Sequence, residues 1–157
     1  MYQGMLHLHS TFRWVILILL LVAVYKSFAD RNKAFTSGHK KMGLFLLITA
    51  DSMFLVGLYQ WITGPLGLKL FQNPAIGMKG VMSNSYYRFF AIEHFIGMII
   101  AIALIHIGYG YSKKNIADGV KHKRALLFYG LALLIILISI PWPFRVVGAG
   151  RSWFPGM

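Results

Sequence analysis

The chain has 157 residues, 57% of which are hydrophobic, and it carries a formal charge of +12 with only four acidic side chains. So high an apolar fraction excludes an ordinary soluble domain and indicates an integral membrane protein. The basic residues cluster at the ends of apolar runs, which argues against a nucleic-acid partner. The chain has no cysteine, which excludes disulfides, Cys-ligated iron–sulfur clusters and a covalently attached haem, and leaves noncovalent haem and His/carboxylate metal sites open.

Four apolar runs are long enough to form membrane spans. A helix needs roughly 20 residues to cross the hydrocarbon core, and in chain order the runs are residues 6–25, 42–63, 89–111 and 125–142. They predict one all-α transmembrane domain over the whole chain, an up-down four-helix bundle. The long connection 64–87 contains several glycines, and we expect it to fold over the outer mouth of the bundle.

The basic residues predict the orientation of this bundle. Lys and Arg concentrate in two loops, between spans one and two and between spans three and four: Lys26, Arg31, Lys33, Lys40, Lys41, Lys113, Lys114, Lys121, Lys123 and Arg124. Cytoplasmic loops are enriched in these residues, so we expect both loops in the cytoplasm and both termini outside it, in a bacterial inner membrane. His39 and His122 belong to these basic loops and are predicted to be solvated.

An outer layer of polar side chains provides candidate cofactor ligands. With a rise of about 1.5 Å per residue, four of them lie roughly 26–30 Å from the cytoplasmic basic residues: His7, His9, Glu93 and His94. Haem b in a helical bundle needs two imidazoles from different helices at one depth, which His94 and either His7 or His9 can supply. His7 and His9 point about 200° apart on a helix, so only one of them faces His94. We favour His9, which lies further from the headgroups and one turn before Arg13.

Two alternatives to haem stay open at this layer. His7 or His9, with Glu93 and His94, offers an N/N/O donor set for zinc, iron or copper, although adjacent residues differ by about 100° on a helix. The other alternative is helix packing with interfacial histidines and no cofactor. Gly97 and the small residues that follow it below His94 allow either a flat macrocycle or another helix to approach closely.

A middle layer holds the charges deepest within the spans. Arg13 and Asp51 lie roughly 15–20 Å from the cytoplasmic basic residues. A lone charge in hydrocarbon costs at least about 2.5–3.5 kcal/mol on insertion scales, so an Arg13–Asp51 ion pair is predicted. The alternative is a proton path, or a charge partner for a cofactor or quinone. His106, roughly 11 Å deep, is expected to be satisfied within the bundle.

Three stretches resemble a known family: LHLHSTFRW, YYRFFAIEHFIGMIIAIALIHIGYGYSKK and KRALLFYGLALLIILISIPWPFR. The chain resembles, over nearly its whole length, small four-helix membrane proteins of Bacteroidetes commonly named "cytochrome B". The resemblance implies b-type haem and electron transfer, and the positions that match its pattern are His7, His9, Arg13, Glu93, His94 and the stretch 141–145. Span two departs from the pattern, because relatives carry a histidine where this chain has Ala50, Asp51 and Ser52. That difference favours an ion-pair or metal role for Asp51.

The sequence therefore predicts a haem b membrane protein that handles electrons between a quinol pool and a partner. The alternative is a cofactor-free accessory or assembly subunit of a respiratory or envelope complex, which a bare bundle with few extramembrane residues fits equally well. No catalytic residues are predicted, since the sequence contains no nucleophile–base set, phosphate loop or nucleotide-binding fingerprint.

Overall fold

The computed structural model describes residues 2–145 and 150–154, and its regular structure there is all-helical. The helices are α1 (Tyr2–Ala29), α2 (Ser37–Thr63), α3 (Leu68–Gln72), α4 (Gly77–Ser83), α5 (Ser85–Arg88), α6 (His94–Ser112) and α7 (Asp118–Ser139). A π-helical segment, Phe89–Glu93, joins α5 to α6 without a break. The prediction of an all-α protein is confirmed.

Within the described residues, four helical stretches are long and apolar enough to cross a membrane: α1, the stretch that begins with α2, the stretch Ser85–Ser112 and α7. Each contains most of one predicted span. The fourth is shorter than predicted at its end, because α7 stops at Ser139 and Ile140 is extended. Pro141 follows Ile140 and disfavours helical geometry in the residue before it.

The four long helices surround one core. α1 and α6 each pack against both α2 and α7. Neighbouring helices run antiparallel: the side chain of Gln60, near the end of α2, donates to the carbonyl of Met5, near the start of α1, at 2.6 Å. His94 at the start of α6 likewise contacts Ser139 at the end of α7. The arrangement is an up-down bundle.

The long helices are apolar on their outward faces as well as in the core. Leu20, Leu46 and Ala132 are fully buried between the helices, whereas Leu55 and Ile138 point outward and are 66% and 60% exposed. A helix that is hydrophobic all round suits a lipid environment better than water.

The connection between α2 and α6 folds onto one end of the bundle. Leu70 of α3 and Val81 of α4 form a small apolar cluster with Ala91. The indole N–H of Trp61 donates to the carbonyl of Ala91 at 3.0 Å and ties this cluster to α2. Gly67 is required here, because a Cβ atom at this position would overlap the backbone of Trp61.

At the opposite end, the two histidines predicted to be solvated are packed, so that prediction is wrong. His122 is fully buried, and its ring lies 4.8 Å from that of His39 and 4.9 Å from that of Phe35. The loop after α1 therefore folds over the start of α7. His39 Nε2 lies 3.0 Å from a carboxylate oxygen of Asp30, and Lys33 Nζ lies 2.8 Å from the other. Hydrogen bonds from Lys33 and then His39 lower the pKa of Asp30 to about 2.

Candidate functional site: a cavity between two histidines

A cavity of about 170 Å³ lies between the long helices. Most of its wall is apolar, and its lining extends from Tyr2, at the start of α1, to Ile105 in α6. The polar side chains in the wall include His9, Arg13, His94 and Arg151. A concave, largely apolar site with a few convergent polar groups is the usual form of a cofactor or ligand site.

His94 is held in a fixed orientation by the end of α7. Its Nδ1 atom lies 2.7 Å from the carbonyl oxygen of Ser139, so Nδ1–H donates and Nε2 is left as the nitrogen with a lone pair. The π-helical segment Phe89–Glu93 ends immediately before this residue and changes the direction in which it points, compared with an uninterrupted α-helix. One turn later, Gly97 lets α6 approach α7, because a Cβ atom there would overlap the Ser139 side chain.

His9 reaches the cavity from α1 and packs over a glycine of α2. A Cβ atom at Gly57 would lie 3.2 Å from His9 Cε1, tighter than an ordinary contact, so glycine makes room for the imidazole. The Nδ1 atom of His9 is enclosed and has no hydrogen-bond partner among the described residues. A buried nitrogen without a partner is costly, and a hydrogen bond or metal bond at Nδ1 itself would offset that cost.

The two imidazoles are separated by a distance that suits one metal ion between them. The ring centres of His9 and His94 lie 6.2 Å apart, with an angle of 72° between the ring planes. With metal–nitrogen bonds of roughly 2.0–2.1 Å and about 1.1 Å from nitrogen to ring centre, two imidazoles on opposite sides of an ion have centres roughly 6.3 Å apart. The spacing between the two rings, which come from different helices, therefore matches that of two imidazoles on opposite sides of one metal ion.

Arg13 is a buried cation beside this pair. The residue is 7% exposed, and its guanidinium donates to the carbonyl of Trp153 at 2.7 Å. The indole of Trp14 donates to the same carbonyl at 3.0 Å and stacks on the Trp153 ring, so the segment around Trp153 is held against α1. The Nε atom of Arg13 is enclosed and lacks a partner in the described part of the chain. An anionic group in the cavity would complement this charge.

The predicted Arg13–Asp51 ion pair is not formed in this structure. Arg13 faces the cavity and the returning C-terminal segment, whereas the Asp51 carboxylate lies 3.4 Å from Nε2 of His106. The side chains of Asp51 and His106 are 44% and 46% exposed on the outside of the bundle. His106 does have partners within the bundle, the Ile102 carbonyl and Asp51, but its side chain faces outward and not into the core.

The other residues of the predicted outer layer lie away from the two facing histidines. His7 is exposed on α1. Glu93 is paired with Arg88, at 2.8 Å between a carboxylate oxygen and Nε. Among the residues that the structure describes, no group of three or more His, Asp or Glu side chains could hold a metal ion. The N/N/O metal set considered from the sequence is thus not assembled here.

Sequence reasoning missed several residues that shape the cavity. Ser139 acts through its backbone carbonyl, which any residue type supplies, so no sequence signal could have identified it. Arg151 reaches the cavity only because the chain turns back after Pro141, whose carbonyl accepts from the Arg151 backbone N–H at 2.9 Å. Gly57 could have been identified from the sequence, since an isolated glycine within an apolar helical run indicates that another group packs closely against the helix there.

The fold and the site together define an all-helical protein in which four potential membrane helices enclose a histidine-containing cavity. No protein-family model, curated protein or solved structure matches the chain. The resemblance to the Bacteroidetes "cytochrome B" proteins stays a prediction.

Proposed function

We propose that this chain is a multi-pass membrane protein that binds haem b between His9 and His94 and takes part in electron transfer. The observation that carries the proposal is the pair of imidazoles, on different helices, whose centres lie 6.2 Å apart in the wall of a cavity. The enclosed His9 Nδ1, which has no partner among the described residues, supports a bound group at this ring.

The surrounding residues have definable roles in this proposal. The Ser139 carbonyl orients the His94 imidazole and raises its basicity as a ligand. Arg13 and Arg151 supply positive charge for the propionates, and the apolar wall keeps water away from the ring. Haem iron with two histidine ligands supplies one-electron redox chemistry, tuned by burial and by hydrogen bonds to its ligands.

Membrane insertion and orientation belong to the same proposal. Four long apolar helices with exposed apolar faces support insertion, and the Lys/Arg-rich loops support a cytoplasmic location for the α1–α2 and α6–α7 connections. A reporter fused after Thr36 should then give a cytoplasmic signal in a bacterial inner membrane. A periplasmic signal at this site would reverse the orientation.

An optical spectrum tests the haem proposal. Protein made in haem-replete cells and purified in detergent should show a Soret band and, after dithionite reduction, a low-spin b-type spectrum. His94→Gly and His9→Gly should each abolish the low-spin spectrum, and added imidazole should restore part of it by replacing the lost ligand. His7→Gly, two residues from His9 and exposed, is the matched control and should keep the wild-type spectrum.

Two outcomes would contradict the proposal. A haem-free wild-type protein would leave the cofactor-free accessory subunit as the better hypothesis, and zinc, copper and iron analysis of that sample would show whether a metal replaces haem. A wild-type spectrum in both His9→Gly and His94→Gly would show that haem binds elsewhere.

A further inference from the structure

We propose that Asp51 and His106 form a binding site, open to the bilayer, for the ring of a lipid-soluble quinol or quinone. The inference rests on the membrane insertion included in the proposed function, but it does not require haem. Both residues lie on the outside of the bundle, and neither contributes to the cavity wall.

Asp51 and His106 form an ion-pair contact at 3.4 Å that offers an acceptor on one side chain and a donor on the other. His106 Nδ1 lies 3.0 Å from the Ile102 carbonyl, which accepts hydrogen bonds only, so Nδ1 carries a hydrogen. In the neutral ring, Nε2 then has a lone pair, and it lies 3.4 Å from an oxygen of Asp51. With a second hydrogen on the ring, Nε2 becomes a donor and the ring carries the positive charge that attracts the Asp51 carboxylate. The pair can therefore both donate and accept at its exposed edge.

The position of the pair restricts what can reach it. Counted from the basic residues at the helix ends, Asp51 lies roughly 15 Å and His106 roughly 11 Å inside the span. Ile48 and Leu55, one turn before and after Asp51 on α2, are more than half exposed and surround it with apolar surface. Ionisable groups at this depth of an inserted helix are costly and usually functional.

A quinol or quinone ring matches this surface. Its apolar ring and tail partition into the bilayer and cover the exposed aliphatic side chains. A quinol hydroxyl can donate to the Asp51 carboxylate, and a quinone carbonyl can accept a hydrogen bond from Nε2–H of the charged His106 ring. The pair thus offers one partner for the reduced ligand, on α2, and one for the oxidised ligand, on α6.

The pair also lies directly behind the wall of the cavity. Ile102 provides the carbonyl that holds His106, and its side chain lines the cavity. Ala50, the neighbour of Asp51, lines the same cavity. A ring bound at the pair would therefore be separated from the proposed haem site by one layer of side chains.

Photolabelling with a short-chain azidoquinone tests the inference directly. In nanodiscs, the label should attach to wild-type peptides of α2 and α6 that surround Asp51 and His106, and decylubiquinone should compete with it at saturating concentrations. Asp51→Asn and His106→Gln should each weaken this competition at least tenfold, because each removes one charge of the ion pair. Ser52→Ala, next to the pair on α2, should compete like the wild type.

The measurement remains informative if a variant folds poorly, because the position of the label is determined in the wild-type protein. Labelling that is not saturable, or that maps elsewhere, overturns the inference. Equal competition in wild type and in both pair variants overturns it too.

The chain has no cysteine, so a single Ser52→Cys variant can report a second copy on this face. Spontaneous disulfide dimers in native membranes would show that a protein surface covers the pair instead.

The same labelling separates this inference from the haem proposal. It should persist in His94→Gly protein, in which the haem spectrum is expected to be lost. Absence of haem with saturable labelling at the pair would refute the haem proposal alone, and a normal haem spectrum without labelling would refute the quinone site alone.

Discussion

Replacing Gly97 by alanine tests whether α6 and α7 approach as closely as the His94–Ser139 contact requires. The new Cβ atom would lie 3.1 Å from Ser139 Cβ and closer still to its hydroxyl oxygen. Since Ser139 ends α7, the helix end has to move away or the serine has to change its rotamer. Overpacking of this kind costs about 1–3 kcal/mol.

The higher helix propensity of alanine stabilises the variant and so opposes the packing cost. A control variant allows the two effects to be separated. Alanine is better than glycine in a helix by about 1 kcal/mol, so Gly97→Ala alone mixes two effects. Gly130, inside α7, has no atom within 4 Å of the Cβ position. Gly130→Ala should therefore show the propensity gain without the packing cost, and the difference between the two variants isolates the contact between α6 and α7.

Thermal unfolding in detergent, followed by circular dichroism, measures this difference. For chains of this size, 1 kcal/mol corresponds to roughly 2–4 °C, so Gly97→Ala should melt roughly 2–12 °C below Gly130→Ala. The displaced Ser139 carbonyl should also weaken the low-spin haem spectrum in Gly97→Ala and leave it unchanged in Gly130→Ala. Equal Tm values and equal spectra would refute the close helix approach and the assigned role of Ser139.

The other predictions concern charged side chains. The destabilising effects of Arg13→Leu and Asp51→Leu should add, within about 0.5 kcal/mol, because the two side chains have different partners. A large coupling energy in a double-mutant cycle would instead show that the two side chains interact directly. Asp30 has a folded pKa of about 2, below its unfolded value of about 3.9, so its ionised form stabilises the fold above about pH 4 and this contribution is lost as the pH falls through about 2. The Tm difference between wild type and Asp30→Asn should thus be constant above about pH 5 and shrink toward pH 2. A difference that does not change over this range would contradict the hydrogen-bonded carboxylate.

Sequence alone determined the helical architecture and its apolar character. Runs of about 20 apolar residues bounded by Lys, Arg, Gly or Pro predict four long helices. In such runs the backbone N–H and C=O groups must form their hydrogen bonds within the segment. Depth counting also placed His9 and His94 in one layer, since the helical rise converts sequence distance into position along the axis.

Only the tertiary structure decided which polar groups meet. Asp51 and Arg13 lie in one predicted layer, but rotation about the helix axes directs one outward to His106 and the other toward the cavity. The early end of α7 lets the chain return, so that the carbonyl of Trp153 reaches Arg13. Residue spacing fixes the position of a side chain along the helix axis. The direction in which the side chain points depends on the rotation of the helix about its axis and on where the helix ends, and packing against the other helices determines the rotation and the end.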